Sequence, residues 1–374
     1  MRRGQFIGSG LILTVIVLVS IGLWRTAGER ADGWIAVVGQ PKGVMGTTCA
    51  LAAVVPYRER THAEEALRRA EAALRMVEAR MSVWLADSEI SRLNAARSGE
   101  ETPLSPGSLE VLRAAREAAI ETGGAFDVTC RPLVELWRRA GEQGVVPAES
   151  ERNDARAASN WELLELTDRG VVKRADRVCV DLGGIAKGLG IDRAVEVLRR
   201  AGVAGGMVVV GGDLACFGEQ ADGRDWPVDV KNPFGPGRLA QLRVRGGAVA
   251  TSGDYARYVE IAGKRYGHII DPRVGRPTEA AQAVTVVAPT ALTADIWATA
   301  LSVLGPEGFR RLPEHVDALM IVGSKDDHEI LCTAGFRALL EEPIPAGLTV
   351  WEEGAGGRGT GRSMDFSVSE GDGL

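Results

Sequence analysis

An α+β fold, a mostly antiparallel sheet with flanking helices, is what the sequence predicts, and three features predict it. Amphipathic helical stripes occupy the first half and return after about residue 290. Short β-prone runs fill much of the stretch between them. Those runs are separated only by a few residues of Gly, Pro and Asp, too few for the crossover of roughly a dozen residues that parallel pairing needs, so antiparallel neighbours follow.

From His62 to Met81, apolar Leu67, Ala70, Leu74, Val77 and Met81 recur at spacings of three and four, the mark of one buried helical stripe. Leu109 to Ile120 repeats the pattern more weakly and stops at Gly123-Gly124. A third helix is expected from about Lys187 to Arg200, ending before Gly202. The β-prone runs are Met207 to Val210, Trp226 to Val230, Leu239 to Val244, Tyr258 to Ile261 and Ala283 to Ala288. Thr293 to Leu304 returns to helix, and Ala318 to Val322 and Glu329 to Leu331 are late strands. No internal repeat of fixed period is present.

With 374 residues, 45% of them hydrophobic and 25% charged, the chain is long enough for one large core or two lobes. A formal charge of -6 with evenly spread Lys and Arg argues against a nucleic-acid surface, which would need a basic face. Met1, Arg2 and Arg3 precede an uncharged apolar run, Phe6 to Trp24, about as long as the ~20 residues a membrane-spanning helix requires. Residues 1–30 are therefore expected to be a signal or membrane anchor, with the bulk of the protein exported and whether the segment is cleaved left open. Residues 40–345 form the folded domain, and 351–374, rich in Gly, Ser, Glu and Arg, a flexible tail. Cys49, Cys130, Cys179, Cys216 and Cys332 lie far apart with no C-x-x-C pair, which argues for small core residues and against zinc. An odd number leaves at least one thiol unpaired even in an oxidising compartment.

Four stretches are richer in Gly, Asp and hydroxyl residues than folding alone asks. In D-L-G-G-I-A-K-G, Asp181 to Gly188, two glycines before a helix suit backbone N–H groups to an anion and Lys187 adds charge, although a plain tight turn reads the same way. In T-A-D-I-W-A-T-A, Asp295 and Thr299 stand one helical turn apart, hard oxygen donors suited to magnesium; the competing reading is a helix start capped by Thr293, with Asp295 in its first turn. In A-T-S-G-D-Y-A-R-Y, Ser252-Gly253-Asp254 suits a hairpin turn or an active loop. In Y-G-H-I-I-D-P-R-V-G-R-P, His268 is placed to move a proton and Asp271 to orient it, on a loop fixed by Pro272, Gly275 and Pro277; a satisfied structural histidine is the alternative.

Taken in order, these stretches resemble the ApbE family of FAD:protein FMN transferases. The motifs that carry the resemblance run from about Met45 to Gly305: M-G-T at Met45, M-S-V-W-L-A-D-S-E-I-S-R-L-N at Met81 to Asn94, G-A-F-D-V-T at Gly124 to Thr129, D-L-G-G-I-A-K-G, G-G-D at Gly211 to Asp213, T-S-G-D-Y, H-I-I-D-P-R-V-G-R-P and A-D-x-x-A-T. The resemblance implies an ApbE-like fold that holds FAD and, with Mg2+, moves its FMN half onto a Thr or Ser hydroxyl of a target protein, releasing AMP. It assigns FAD contacts to Met45, Trp84, Ala125, Phe126, Asp127, Asp181, Lys187, His268 and Ile269, and the metal to Asp295, Thr299 and the backbone carbonyl of Gly184. His268 is the candidate base, with Asp254 or Asp271 in reserve, and Trp84 and Phe126 offer flat faces for a ring to stack on. Where some relatives carry a further acidic residue beside the metal threonine, this chain has Ala298, and it has no lipid-attachment cysteine near the apolar N-terminus. Two rival functions share these residues: hydrolysis of FAD to FMN and AMP, and FAD binding without turnover.

Overall fold

The segment C-A-L-A-A-V-V-P, Cys49–Pro56, offers no polar residue to either side, and in the fold it is a strand covered on both faces. The structure is a computed structural model that describes residues 33–253 and 258–352. The N-terminal apolar segment, Asp254 and residues 353–374 lie outside the described residues.

The chain begins with β1 (Trp34–Gly39), β2 (Cys49–Pro56), α1 (Arg60–Met81), α2 (Glu89–Ala95), β3 (Glu101–Pro103), α3 (Pro106–Glu121), α4 (Arg131–Gln143) and α5 (Glu149–Ala157). It continues through β4 (Leu164–Leu166), β5 (Gly170–Lys173), α6 (Ala186–Arg200), β6 (Gly205–Val210), β7 (Asp213–Phe217), β8 (Trp226–Lys231), β9 (Arg238–Val244) and β10 (Gly247–Gly253). The last part holds β11 (Tyr258–Ile261), β12 (Lys264–Gly267), β13 (Ile270–Asp271), β14 (Arg276–Pro277), β15 (Ala283–Ala288), α7 (Ala291–Leu304), β16 (Asp317–Gly323), β17 (His328–Cys332), α8 (Ala334–Ala338) and β18 (Leu348–Val350).

Among the described residues, nine strands form the main sheet in the order β1-β2-β6-β7-β10-β15-β16-β17-β18. Every pairing in it is antiparallel except β17 with β18. The α+β class expected from the strand spacing is therefore what the chain adopts. Side chains alternate across the sheet with period two. Leu51, Ala53 and Val55 of β2 join the core beneath the helices, while Ala52 and Val54 join a second core on the opposite face. The first core is closed by α1, α6 and α7, the second by the β8–β9 hairpin and α8, with Trp226, Leu242 and Phe336 fully buried. Burial on both faces explains why β2 reads as an unbroken apolar run rather than an alternating one.

The helix expected over His62 to Met81 is α1, and its inward stripe is Ala63, Ala66, Leu67, Ala70, Leu74, Val77 and Met81. Outside, Arg60–Glu64, Glu65–Arg69 and Glu71–Arg75 form i,i+4 pairs that solvent screens, so they contribute little to stability. All five cysteines are unpaired thiols; Cys49, Cys216 and Cys332 are buried as core residues, and burial pushes Cys216 up to about 12. No helix among the described residues is long and apolar enough to cross a membrane.

Candidate active site

Two helix starts meet at the site. Gly188 in the first turn of α6 lies against the first residues of α7 so closely that a Cβ there would stand 2.3 Å from the carbonyl oxygen of Ala291. The contact is stitched from both sides. Asp192 of α6 accepts from the backbone N–H of Ala291 (2.8 Å) and of Leu292 (2.9 Å). The Thr290 side chain accepts from Thr293 N–H at 3.2 Å, so three of the amides left open at the start of α7 are satisfied. Replacing Thr290 with Ala should cost about 1 kcal/mol, read as a lower urea midpoint with unchanged slope. The expected capping by Thr293, with Asp295 in the first turn, is corrected: Thr290 is the cap, and Asp295 lies deeper in the helix.

That depth places Asp295 within reach of α6. Its Oδ1 accepts from Lys187 Nζ at 3.0 Å and its Oδ2 from Gly188 N–H at 3.1 Å, and the residue is 3% exposed. Lys187 also donates to Asp213 Oδ2, while Asp213 Oδ1 accepts from Thr251 N–H at 3.0 Å. Burial alone would lower the pKa of Lys187, but the carboxylates of Asp213 and Asp295 outweigh it and raise it. Burial pushes Asp213 upward in turn. Its oxygens nonetheless each face a donor, so a proton on either would sacrifice a hydrogen bond, and the geometry holds it as a carboxylate beside a charged ammonium.

Thr299 stands one turn beyond Asp295, next to the glycine turn: a Cβ on Gly184 would lie 3.1 Å from Thr299 Oγ1 and 3.4 Å from the Phe126 ring. A side chain at 184 would press on the threonine hydroxyl, so the glycine keeps the turn in close contact with it. Carboxylate, hydroxyl and backbone oxygen are hard donors that fit magnesium, an ion that completes its shell with water and substrate phosphate. No group of three or more His, Cys, Asp or Glu that could hold a metal by itself occurs among the described residues. Ala298 is fully buried in the core under α7 and adds no ligand.

The turn before α6 is held by its neighbours. Asn94 at the end of the M-S-V-W motif donates to Val180 O (2.8 Å) and accepts from Val180 N–H (2.7 Å). Asp181 N–H donates to Val128 O at 2.7 Å, and Asp181 Oδ1 accepts from Gly183 N–H at 2.9 Å. The amides of Ile185 and Ala186 donate to Leu182 O. The amides of Gly183, Ile185 and Ala186 are thereby spent within the turn, which narrows the expected phosphate cradle of backbone N–H groups. Cationic charge at this end comes from Lys187 and from Arg131, whose guanidinium lies 3.4 Å from Asp181 Oδ2.

Several other expected site residues are placed differently from the flat picture the sequence suggests. Phe126 is 4% exposed and supports Gly184 from below, so it presents no face for stacking; Trp84, 84% exposed, does. Asp127 is buried with its carboxylate bonded to Thr129 N–H, Thr129 Oγ1 and Trp161 N–H, a loop-holding role; burial raises its pKa against those donors. Asp271 turns both oxygens to Arg273 (2.9 Å to N, 2.8 Å to Nε and Nη2), and its carbonyl accepts from Gly275 N–H, so its carboxylate anchors the turn. His268 is exposed, and its neighbour Ile269 packs with Ala125 and Val303, which brings the histidine loop and the G-A-F-D segment together. Met45, at a left-handed φ of 51°, sits over Gly190 of α6. Thr251, Ser252 and Gly253 belong to β10, paired with β15, rather than to a hairpin turn. Asp213 and Thr251 lie in the G-G-D and T-S-G-D-Y motifs with no role assigned to them there, and Arg131 lies in no motif, because their partners are distant in sequence.

Residues 45–321 match the ApbE family. The chain belongs to the ApbE family. It is 37% identical over 276 residues to the FAD:protein FMN transferase of Vibrio cholerae serotype O1, covering 72% of this chain and 83% of the relative. The corresponding Escherichia coli K12 protein is 31% identical over 271 residues, 70% of this chain and 77% of its own. Among solved structures, the flavin transferase ApbE from Vibrio cholerae superposes with a TM-score of 0.70 at 32% identity, covering 82% of this chain and 99% of that one. The apo flavinyl transferase ApbE of Pseudomonas stutzeri gives 0.71 at 30% identity, over 82% and 97%. This ApbE-family chain is a transferase, and its mostly antiparallel sheet with helices is the ApbE fold.

Proposed function

We propose that this transferase moves the FMN half of FAD onto a Thr or Ser hydroxyl of an exported or membrane acceptor protein, with Mg2+, and releases AMP. The observation that carries the reading is the oxygen set of Asp295, Thr299 and the Gly184 backbone beside the Lys187 ammonium, at the meeting of two helix starts. FAD as substrate is supported by the relatives' activity and by the order of the motifs.

In the reaction, the acceptor oxygen forms a bond to the FMN phosphorus, the bond from that phosphorus to the bridging oxygen breaks, and the bridging oxygen leaves with AMP. Asp295, Thr299 and the Gly184 backbone would hold the magnesium ion, which would supply charge neutralisation for the diphosphate. Lys187 adds a fixed positive charge at the same place, and the α6–α7 contact holds Asp295 and Thr299 in register without reorganisation. Trp84 offers its exposed face to a ring of the dinucleotide. His268, on the exposed loop packed against the Ala125 segment, takes the hydroxyl proton. The apolar run Phe6 to Trp24 supports a membrane anchor with the catalytic domain on the outer, periplasmic or extracytoplasmic, side.

The full chain incubated with FAD, Mg2+ and an exported acceptor should add an FMN mass to a Thr or Ser of the acceptor. Free FMN released at the rate of AMP with no acceptor present would make it a hydrolase, and tight FAD binding with neither product would make it a carrier. His268→Asn should slow transfer about 100-fold, the usual scale of a lost base, with the FAD dissociation constant unchanged; an unchanged rate would place the base elsewhere.

A further inference from the structure

We propose that Asp213 is a positioning residue for the cation site: by sharing the Lys187 ammonium with Asp295, it prevents that ammonium from cancelling the charge with which Asp295 holds a divalent cation. The inference rests on the metal reading above and adds a residue to it.

The fold spends several features on placing this carboxylate. Gly211 and Gly212 take φ of +64° and +103°, a turn open to glycine, which delivers Asp213 to the first position of β7. A Cβ on Gly211 would already stand 3.1 Å from the Thr47 side chain, so the M-G-T segment closes over the same turn. Asp213 is 3% exposed and binds through both oxygens, to Lys187 on α6 and to Thr251 N–H on β10. Thr251 is itself fixed, opposite Thr285 in the β10–β15 register with the two hydroxyls 3.0 Å apart. The common result is a lysine divided between two carboxylates.

The charge arithmetic gives the division a purpose. Two carboxylates around one ammonium leave one negative charge over. Arg131 is itself divided between Glu135 at 2.8 Å and Asp181 at 3.4 Å, and neither carboxylate contacts Lys187 in place of Asp213. If Lys187 had only Asp295 to pair with, the two would neutralise, and a divalent cation would have to displace an ammonium from a closed ion pair. With Asp213 present, Lys187 keeps a partner when the cation arrives, and stays in place facing the diphosphate.

The test uses the full chain stripped of metal, Mn2+ alone as the probe with free Mn2+ read by electron paramagnetic resonance, and FAD binding followed by fluorescence in chelator. Asp213→Asn should weaken Mn2+ binding at least about tenfold while leaving metal-free FAD binding unchanged or tighter. Lys187→Met should act with the opposite sign, keeping or tightening Mn2+ and weakening FAD. The double variant, which again has one excess negative charge, should bring the Mn2+ dissociation constant back to within about threefold of the parent, a rescue that a merely structural role would not produce. Mn2+ binding by Asp213→Asn within about twofold of the parent, or a double variant no better than the single, overturns the proposal. Should Asp213→Asn fail to fold, Lys187→Met decides: loss of Mn2+ binding there overturns it as well. FMN transfer is assayed separately, so these outcomes are distinct from a failure of the transferase reading.

Discussion

Asp295→Asn should reduce Mg2+-dependent FMN transfer by at least about 100-fold, roughly 3 kcal/mol of transition-state stabilisation, while the protein still folds. An amide keeps the shape of the side chain and can still accept from Gly188 N–H, so the α6–α7 contact survives. What is lost is the negative charge among the hard oxygens, and Lys187 retains Asp213 as a partner. The milder variant matters because Asp295 is buried. Alanine would leave Gly188 N–H without its acceptor, and a buried unsatisfied donor costs about 1–3 kcal/mol, mixing stability into the readout. The check is the initial rate of FMN incorporation by mass spectrometry, together with the circular dichroism melting curve. Transfer at the parent rate would remove Asp295 from the metal site.

Gly188→Ala should destabilise the protein by about 3 kcal/mol and abolish metal-dependent turnover together. The added methyl would stand 2.3 Å from Ala291 O and 2.7 Å from Leu292 Cα, both backbone atoms that no rotamer change can move aside. The first turn of α7 must shift away from α6, stretching the bonds from Asp192 and Gly188 and displacing Asp295 from Lys187. Calorimetry should show a melting temperature lower by roughly 5 °C or more. A variant that melts at the parent temperature would mean that the two helix starts are not in the close contact described.

The contact at Gly188 also separates positions that look alike in the sequence. Gly183, Gly184, Gly188 and Gly190 all fall in one glycine-rich stretch, and only the fold tells them apart. Gly184 makes room for Thr299, Gly188 for the backbone of α7, and Gly190 for Met45, while the nearest atom to a Cβ on Gly183 is the carboxylate of its own turn, Asp181 Oδ1 at 3.1 Å. The phosphate-cradle reading drawn from this stretch narrows for a related reason. Amides near a helix start bind anions only when nothing closer takes them, and here Asp181 and Leu182 do.

Local pattern by itself determined the helices α1, α3, α6 and α7, the mostly antiparallel pairing of the strands and the pair of Asp295 and Thr299 on one helical face. Each of these depends on periodicity or on spacing within a single element, quantities that the residue order carries directly. It also carried the family, through motifs in fixed order. The tertiary structure alone decided that Phe126 is a buried support and Trp84 an open face, that Asp271 serves its turn, and that Asp213 and Asp295 meet on one lysine. Those outcomes depend on which strands and helices become neighbours: Lys187 reaches partners 26 and 108 positions away along the chain, and no local pattern encodes such a meeting.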